Sequence, residues 1–242
     1  MKAVTKTLQK FLELVNVSGA VDMKECILKG TKETLQVYAK TPSNTFALKA
    51  TLKGDYSELE TIGIDDLALL RKVVALNKDV AGIDITKKEN TIVFKEKKAK
   101  TKLLLRNPKY ILTALDSKAY EEKRKIALGN EFTLKKEDIN TIAKYYEVMK
   151  GKIHISGNKN TITLTMGLNE NASELKIDIK EEVKPFELAI AGFFVEALVQ
   201  VNSDVLISAN TDKPLLVNIK DDDYEIEYFL APLKREKEKS DE

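Results

Sequence analysis

The sequence predicts an α+β protein of two similar domains, each with two helices packed on antiparallel sheets. Short segments alternate apolar and polar side chains with a period of two, which is typical of strands with one buried face. Four other segments space their apolar residues as amphipathic helices do. Residues 83–94 (IDITKKENTIVF) and 153–164 (IHISGNKNTITL) share their apolar and turn positions. Such internal repetition usually reflects the architecture, so we expect four copies of one unit of short strand, helix and three strands.

The N-terminal half contains two of these units. The first begins with a helix over residues 5–17, and Asp65 or Asp66 caps the helix of the second. The two apolar stripes consist of Leu8, Phe11, Leu12 and Val15, and of Leu67, Leu70, Val74 and Leu76. The strands that follow are predicted at residues 26–29, 34–39 and 45–52, and at residues 83–85, 91–94 and 102–105.

The C-terminal half repeats the arrangement. A short strand at Phe132 and Leu134 precedes one helix, and a strand at residues 186–190 precedes a second helix at residues 191–202. The first of these helices is indicated by Ile139, Ile142, Tyr146 and Met149. The strands that follow are predicted at residues 153–155, 161–165 and 174–179, and at residues 205–209, 215–219 and 224–228.

Residues 107–130, named the connector here, interrupt the repeat. They contain a proline, a short apolar group and a charged run, and they are longer than an ordinary connection. We therefore predict an N-terminal domain at residues 1–106, an interdomain connector, and a C-terminal domain at residues 131–233. Residues 234–242 are charged or polar with no apolar side chain, which predicts a disordered tail.

Composition limits the function classes. The 242 residues are 43% hydrophobic and 32% charged, which suits a packed core, and the net charge of +2 does not by itself indicate a partner. One cysteine excludes an intramolecular disulfide and argues against a cysteine-based metal site. The N-terminus lacks a signal-peptide core, and no apolar run approaches the roughly 20 residues that span a membrane. We expect a cytosolic protein without a membrane partner.

The residues give little support to catalysis. The single histidine, His154, lies in a predicted strand, and no glycine-rich phosphate loop is present in the sequence. The acidic residues 221–223 fit a solvated turn better than a metal site. We expect no enzyme activity, no cofactor and no metal. The alternative from another class is a tandem-repeat α+β enzyme, which would need a concave pocket with converging polar groups.

Two short segments carry a resemblance to a known family. Near the C-terminus, Asp212, Pro214 and Leu215 open a strand, and an aromatic strand then closes in Leu230-Ala231-Pro232. In the first unit, Pro42-Ser43 at a turn is followed by Ala47-Leu48 entering a strand. Together with the four units and the connector, these features resemble a DNA sliding clamp of the proliferating cell nuclear antigen family, of archaeal or virus- or plasmid-encoded type.

This resemblance implies a ring-shaped homotrimer that encircles double-stranded DNA without sequence preference and acts as a processivity factor. The helices would line the hole, where cations contact phosphates. The implied DNA-binding residues are Lys6, Lys10, Arg71, Lys72, Lys78, Lys136, Lys144 and Lys150. Lysines on the polar face of a helix are also typical of an ordinary solvated surface. The fourth helix departs from the pattern, since it carries Glu196 and no cation.

The resemblance also implies an apolar pocket for short peptides of DNA polymerase and other clamp-binding proteins. The matching residues are Phe46, Ile111, Leu112, Leu115, Leu230, Ala231, Pro232 and Leu233. Ile111 and Leu115 would alternatively serve only to hold the connector on the sheet. The connector is usually acidic in this family, but here Lys118 and residues 123–125 make it basic.

The subunit joint would form between two edge strands, at Lys102, Leu103 and Leu105 and at Leu175, Ile177 and Ile179. Ordinary internal strands are the alternative for these segments. A clamp loader ATPase would open the ring, and the protein would act at the nucleoid in the cytoplasm, or in a host cell if viral. The alternatives within the same fold are a subunit of a hetero-oligomeric clamp and a monomeric viral-type processivity factor.

Overall fold

Five helices and fourteen strands form the described part of the chain, residues 2–3, 5–76, 83–95, 99–168 and 171–233 of a computed structural model. The helices pack on antiparallel sheets, which confirms the predicted α+β class. The chain divides into a first unit, Met1–Lys123 with Asn218–Tyr228, and a second unit, Arg124–Val217 with Phe229–Glu242. None of the helices in the described ranges is long and apolar enough to cross a membrane.

Apart from a helix within the connector and the strands at residues 153–190, the elements follow the predicted order with shifted ends. The helices are α1 (Thr5–Val15), α2 (Leu67–Ala75), α3 (Ser117–Ala127), α4 (Lys136–Met149) and α5 (Phe193–Val199). The strands before the connector are β1 (Lys2–Ala3), β2 (Cys26–Gly30), β3 (Thr34–Lys40), β4 (Phe46–Lys53), β5 (Thr61–Ile64), β6 (Ile83–Lys88), β7 (Thr91–Lys95) and β8 (Lys100–Leu104). The strands that follow helix α3 are β9 (Asn130–Leu134), β10 (Ile153–Leu168), β11 (Asn171–Ile190), β12 (Val205–Ala209), β13 (Leu215–Lys220) and β14 (Tyr224–Leu230).

In the first unit, α1 and α2 lie over two sheets with the strand orders β1-β6-β7-β8 and β5-β2-β3-β4-β14. Leu12 of α1, Leu70 of α2, Leu35 of β3 and Phe94 of β7 line one small space in the core. Burying these side chains stabilises the unit by about 1.5–3 kcal/mol each. The cap of α2 is Asp66, whose Oδ1 accepts the Leu69 amide at 2.7 Å.

Tyr228 of β14 joins α1 to the sheet. Its hydroxyl donates to the carbonyl oxygen of Leu14 at 2.7 Å, and its ring centroid lies 5.3 Å from that of Phe46. The side chain is fully buried, and this burial raises the pKa of the phenol far above its usual value. The phenol therefore stays neutral and serves as a donor to a carbonyl that water does not reach.

Replacing Tyr228 by Phe should lower the free energy of unfolding by about 1–2 kcal/mol, because the buried Leu14 carbonyl loses its hydrogen bond. Urea unfolding, followed by circular dichroism, measures this loss. The matched control is Tyr110→Phe, at an exposed ring, which should leave the stability unchanged. Equal stability of wild type and Tyr228→Phe would contradict the assigned role.

The second unit contains a long β10–β11 hairpin and the strand order β13-β12-β9. The prediction of separate strands at residues 153–155, 161–165, 174–179 and 186–190 is wrong, because β10 and β11 are continuous and pair from Ile153↔Ile190 to Leu168↔Asn171. The polar residues that suggested a turn instead form a bulge at Gly157 and Lys159. A Cβ on Gly157 would lie 2.2 Å from a ring carbon of Phe186, so a side chain there would displace this buried ring.

The connector is more ordered than its sequence suggested. It opens with a 3₁₀ turn at Pro108–Tyr110 and continues into the eleven-residue helix α3, which we did not predict. In α3 only Tyr120 and Ala127 are buried, so its apolar signal is weaker than that of the four repeated helices. The tail at residues 234–242 lies outside the described residues.

Candidate functional site

The exposed cations of the predicted DNA face lie on three of the four repeated helices. Lys6 on α1, Lys72 on α2 and Lys144 on α4 are exposed, as is Lys150 directly after α4. Lys10 is half-buried on α1, and Lys78 lies outside the described residues. The fourth helix, α5, presents Glu196 and contains no lysine or arginine.

Arg71 is held in place by a buried side chain. Its Nη1 donates to Oδ1 of Asn16 at 3.1 Å, and Asn16 in turn donates from Nδ2 to the Met23 carbonyl at 3.2 Å. The guanidinium is half-buried, and its fork has five N–H donors. One nitrogen of the fork donates to Asn16. The other donors of a guanidinium fork are of the kind that binds phosphate oxygens.

Lys136 differs from the other predicted cations because its ammonium contacts the protein backbone. Its Nζ donates to the Val201 carbonyl, and its amide donates to Oδ1 of Asp204 at 2.9 Å. Both contacts tie the start of α4 to the segment that follows α5. We therefore leave Lys136 out of the DNA-contacting set.

The start of the connector is attached to the first unit through Glu25, a residue that the sequence did not single out. The Glu25 carboxylate accepts the amides of Leu112 at 2.6 Å and Thr113 at 3.2 Å. The carboxylate also pairs with the Arg106 guanidinium at 3.3 Å. The backbone carbonyl of Glu25 accepts the Thr113 hydroxyl at 2.6 Å. The partners lie more than 80 residues away in sequence, so no local signal announces them.

The same segment runs beside β3. Ala114 bridges Ala39, the Lys40 amide donates to the Thr113 carbonyl at 2.9 Å, and the Leu115 amide donates to the Tyr38 carbonyl at 3.3 Å. These contacts leave Leu112 outside, with 83% of its surface exposed.

The predicted peptide-pocket residues differ in accessibility. Ile111 is buried and Leu115 is half-buried, whereas Leu112 projects into solvent. Phe46 is fully buried against Tyr228, so it lies in the core and cannot itself contact a peptide. In the second unit Leu230 is fully buried, while Ala231, Pro232 and Leu233 are half-buried. The Leu233 amide donates to the Ala189 carbonyl at 2.7 Å, which fixes the course of this segment.

Helix α3 is fastened to the first unit by its N-terminal half. The Tyr120 ring is buried and meets the Tyr38 ring edge-on at a centroid distance of 5.8 Å. Glu121 accepts a hydrogen bond from Lys49 Nζ at 3.2 Å. Burial disfavours the Lys49 charge, but this bond and the neighbouring negative charges outweigh it and raise the pKa of Lys49.

Both strands of the predicted subunit joint lie at sheet edges. β8 is the last strand of its four-stranded sheet, and β11 pairs with β10 in a sheet of two strands. Lys102 is exposed and Leu105 half-buried, whereas Leu103 points inward. Leu175, Ile177 and Ile179 share one face as predicted, with Ile177 and Ile179 buried. The side chains of Ile177 and Ile179 therefore pack in the core and stabilise the strand.

Apolar side chains outside the predicted site residues lie beside these edges. Lys144, Tyr145, Val148 and Met149 of α4 and Ser173 of β11 line an open groove of about 310 Å³. Val148 is 80% exposed, and Leu104 of β8 is 71% exposed. The available signal was the apolar pair at positions 145 and 148, three residues apart on the otherwise polar face of α4.

Groups that could carry out chemistry are sparse. Within the described residues, no three His, Cys, Asp or Glu side chains are grouped to hold a metal ion. His154 is half-buried in β10, opposite Ala189. Burial, and then the nearby Glu25 carboxylate, raises the pKa of the Cys26 thiol to about 12. At neutral pH this thiol is protonated and a poor nucleophile.

Solved structures of two proliferating cell nuclear antigens share this fold over almost the whole chain. The proliferating cell nuclear antigen of A. fulgidus, bound to the C-terminal region of FEN-1, has a TM-score of 0.79 at 13% identity, with 97% of this chain and 98% of that chain covered. The proliferating cell nuclear antigen of Entamoeba histolytica has a TM-score of 0.75 at 16% identity, with 95% and 96% covered. No family profile and no curated protein sequence matches the chain.

Proposed function

We propose that the protein is a DNA sliding clamp, a homotrimeric ring that encircles duplex DNA and tethers polymerase and other DNA enzymes to it. The observation that carries this proposal is the agreement with the clamp fold over nearly the full chain. The ring has no catalysis of its own. It acts in the compartment that holds the DNA, slows dissociation of the enzyme that it carries, and requires a loader ATPase to open.

The proposed DNA face consists of the helices that line the hole. Support comes from the exposed Lys6, Lys72, Lys144 and Lys150 and from the positioned Arg71. Flexible lysines give contacts to phosphate without reading bases, which permits sliding. Because α5 contributes no cation, the positive potential of the hole is uneven, with three cationic helices in each subunit.

The proposed subunit joint pairs the β8 edge of one copy with the residues 171–179 edge of the next. Exposed apolar groups next to both edges support it, namely Leu104 near the first and the groove of Tyr145, Val148 and Met149 near the second. Two different surfaces then meet at every joint. Such head-to-tail contacts close into a ring when the rotation between copies allows it.

The proposed partner site is formed by the connector residues Ile111, Leu112 and Leu115. The exposed Leu112 and the fixed course of the connector along β3 support it. The clamp of A. fulgidus was solved with the C-terminal region of FEN-1 bound to it, and we propose a peptide of this kind as the ligand here. The domain limits 1–106, 107–130 and 131–233 remain our proposal.

The test combines mass with topology. Light scattering at two concentrations and two salt levels should give about three times the 27.2 kDa chain mass. A protein loaded on nicked circular DNA should be retained in high salt and lost when the circle is linearised. A single-chain mass at both concentrations would favour the second candidate, a hetero-oligomeric or monomeric clamp, which is motivated by the absence of a cation from α5. Loss from circular and linear DNA alike would argue against encirclement.

A further inference from the structure

The exposed side of helix α3 in the connector carries three lysines and one glutamate. Lys118, Lys123 and Lys125 are exposed, while Glu122 is the one exposed acid of this helix. Its other acid, Glu121, is directed to Lys49 at 3.2 Å. The pairing of Glu121 within the first unit removes a negative charge from the outer face, so that face is positive.

These cations are held on a fixed support. Tyr120 is buried against Tyr38, and the helix begins with the Lys118 amide bonded to Oδ1 of Asp116 at 2.7 Å. A fixed helix loses little conformational freedom when a ligand binds, which lowers the entropic cost of association. The lysines are therefore arranged for binding before a partner arrives.

The position of the helix indicates its ligand. It begins two residues after Leu115, so it continues directly from the connector part of the proposed peptide site. Eleven helical residues extend about 16 Å, which about five residues of extended peptide span. A peptide that leaves the apolar site toward α3 would therefore place its next four or five residues along these lysines.

We infer that α3 binds an acidic extended segment that flanks the apolar anchor of partner proteins, an inference that rests on the proposed partner site. Carboxylates complement Lys118, Lys123 and Lys125, and the exposed Ile126 allows an apolar contact between them. A peptide suits this face better than nucleic acid, because α3 continues directly from the connector part of the proposed peptide site.

The test uses fluorescence anisotropy with the full chain and two peptides. Both contain the C-terminal region of FEN-1 as anchor, extended at either end by four aspartates in one and four serines in the other. At low salt the aspartate peptide should bind about tenfold more tightly, and 0.5 M salt should remove most of this difference. The triple variant Lys118→Glu, Lys123→Glu, Lys125→Glu should reverse the preference.

The matched control replaces three exposed lysines elsewhere in the first unit by glutamate, namely Lys29, Lys32 and Lys95. This variant should keep the preference for the aspartate peptide. Thermal unfolding verifies that both triple variants are folded. Equal binding of the two peptides by wild type would overturn the inference and leave the partner site standing. Binding of neither peptide would contradict the partner site as well. Tighter binding of a short DNA duplex than of either peptide, lost in the α3 triple variant, would instead show that the helix binds nucleic acid.

Discussion

Replacing Val148 by Asp should convert the proposed ring into single chains, so that the mass falls from about three times 27.2 kDa to 27.2 kDa. In an isolated subunit Val148 is 80% exposed, and its replacement costs little stability there. In the proposed joint the same carboxylate would be buried in the apolar groove of Tyr145 and Met149. An unpaired buried charge costs several kcal/mol, and the penalty recurs at each joint of the ring.

Light scattering at micromolar concentration measures this change, with circular dichroism to show that the variant is folded. The matched control is Leu206→Asp, at an exposed leucine on β12, which should leave the mass unchanged. A trimeric Val148→Asp would exclude the groove from the joint. The buried Ile177 is a poor place for the same experiment, because a charge there would unfold the subunit before it opened a ring.

Replacing Glu25 by Ala should weaken binding of a partner peptide at least tenfold. The carboxylate accepts two connector amides and pairs with Arg106, and hydrogen bonds to a charged group contribute about 1.5–3 kcal/mol each. Without it, the Leu112 and Thr113 amides lose their shared acceptor, and Leu112 is no longer presented in one position. Anisotropy with the FEN-1 peptide measures the affinity.

Hydrogen exchange at the amides of Leu112 and Thr113 gives an independent readout and should accelerate in Glu25→Ala. Glu25→Gln retains an acceptor for both amides and should recover much of the affinity. Glu33→Ala, at an exposed acid of the same unit, should change neither exchange nor binding. Unchanged peptide affinity in Glu25→Ala, together with faster exchange, would separate the connector from the partner site.

The strands and helices that bury one regular face were predictable because periodicity encodes that face directly. β12 and the alternating core of β3 begin where the sequence predicts, and α2 is capped by one of the two named aspartates. The bulge in β10 was not predictable, because Gly157 and Lys159 have the composition of a turn and only pairing with β11 keeps the strand continuous.

Helix α3 and the details of the candidate site depend on contacts distant in sequence. The helix has a weak apolar stripe and is stabilised by Tyr38 and Lys49, which belong to other elements. Periodicity correctly placed lysines on the outer face of α1, α2 and α4, but it could not foresee that Lys136 would bind a carbonyl 65 residues away. The burial of Phe46 could not be foreseen either, because its ring packs against that of Tyr228, which is distant in sequence.

The partnership of Tyr228 with Leu14 also governs when the first unit can fold. This unit needs residues 218–228, and its strand β14 lies beside β4. A ribosome that adds about 5–20 residues per second must therefore make most of the chain before the unit is complete. Contacts across 214 residues carry a large loop-closure entropy and slow the search. Until β14 arrives, the edge of β4 is an unpaired strand, and the nascent chain needs protection from aggregation there.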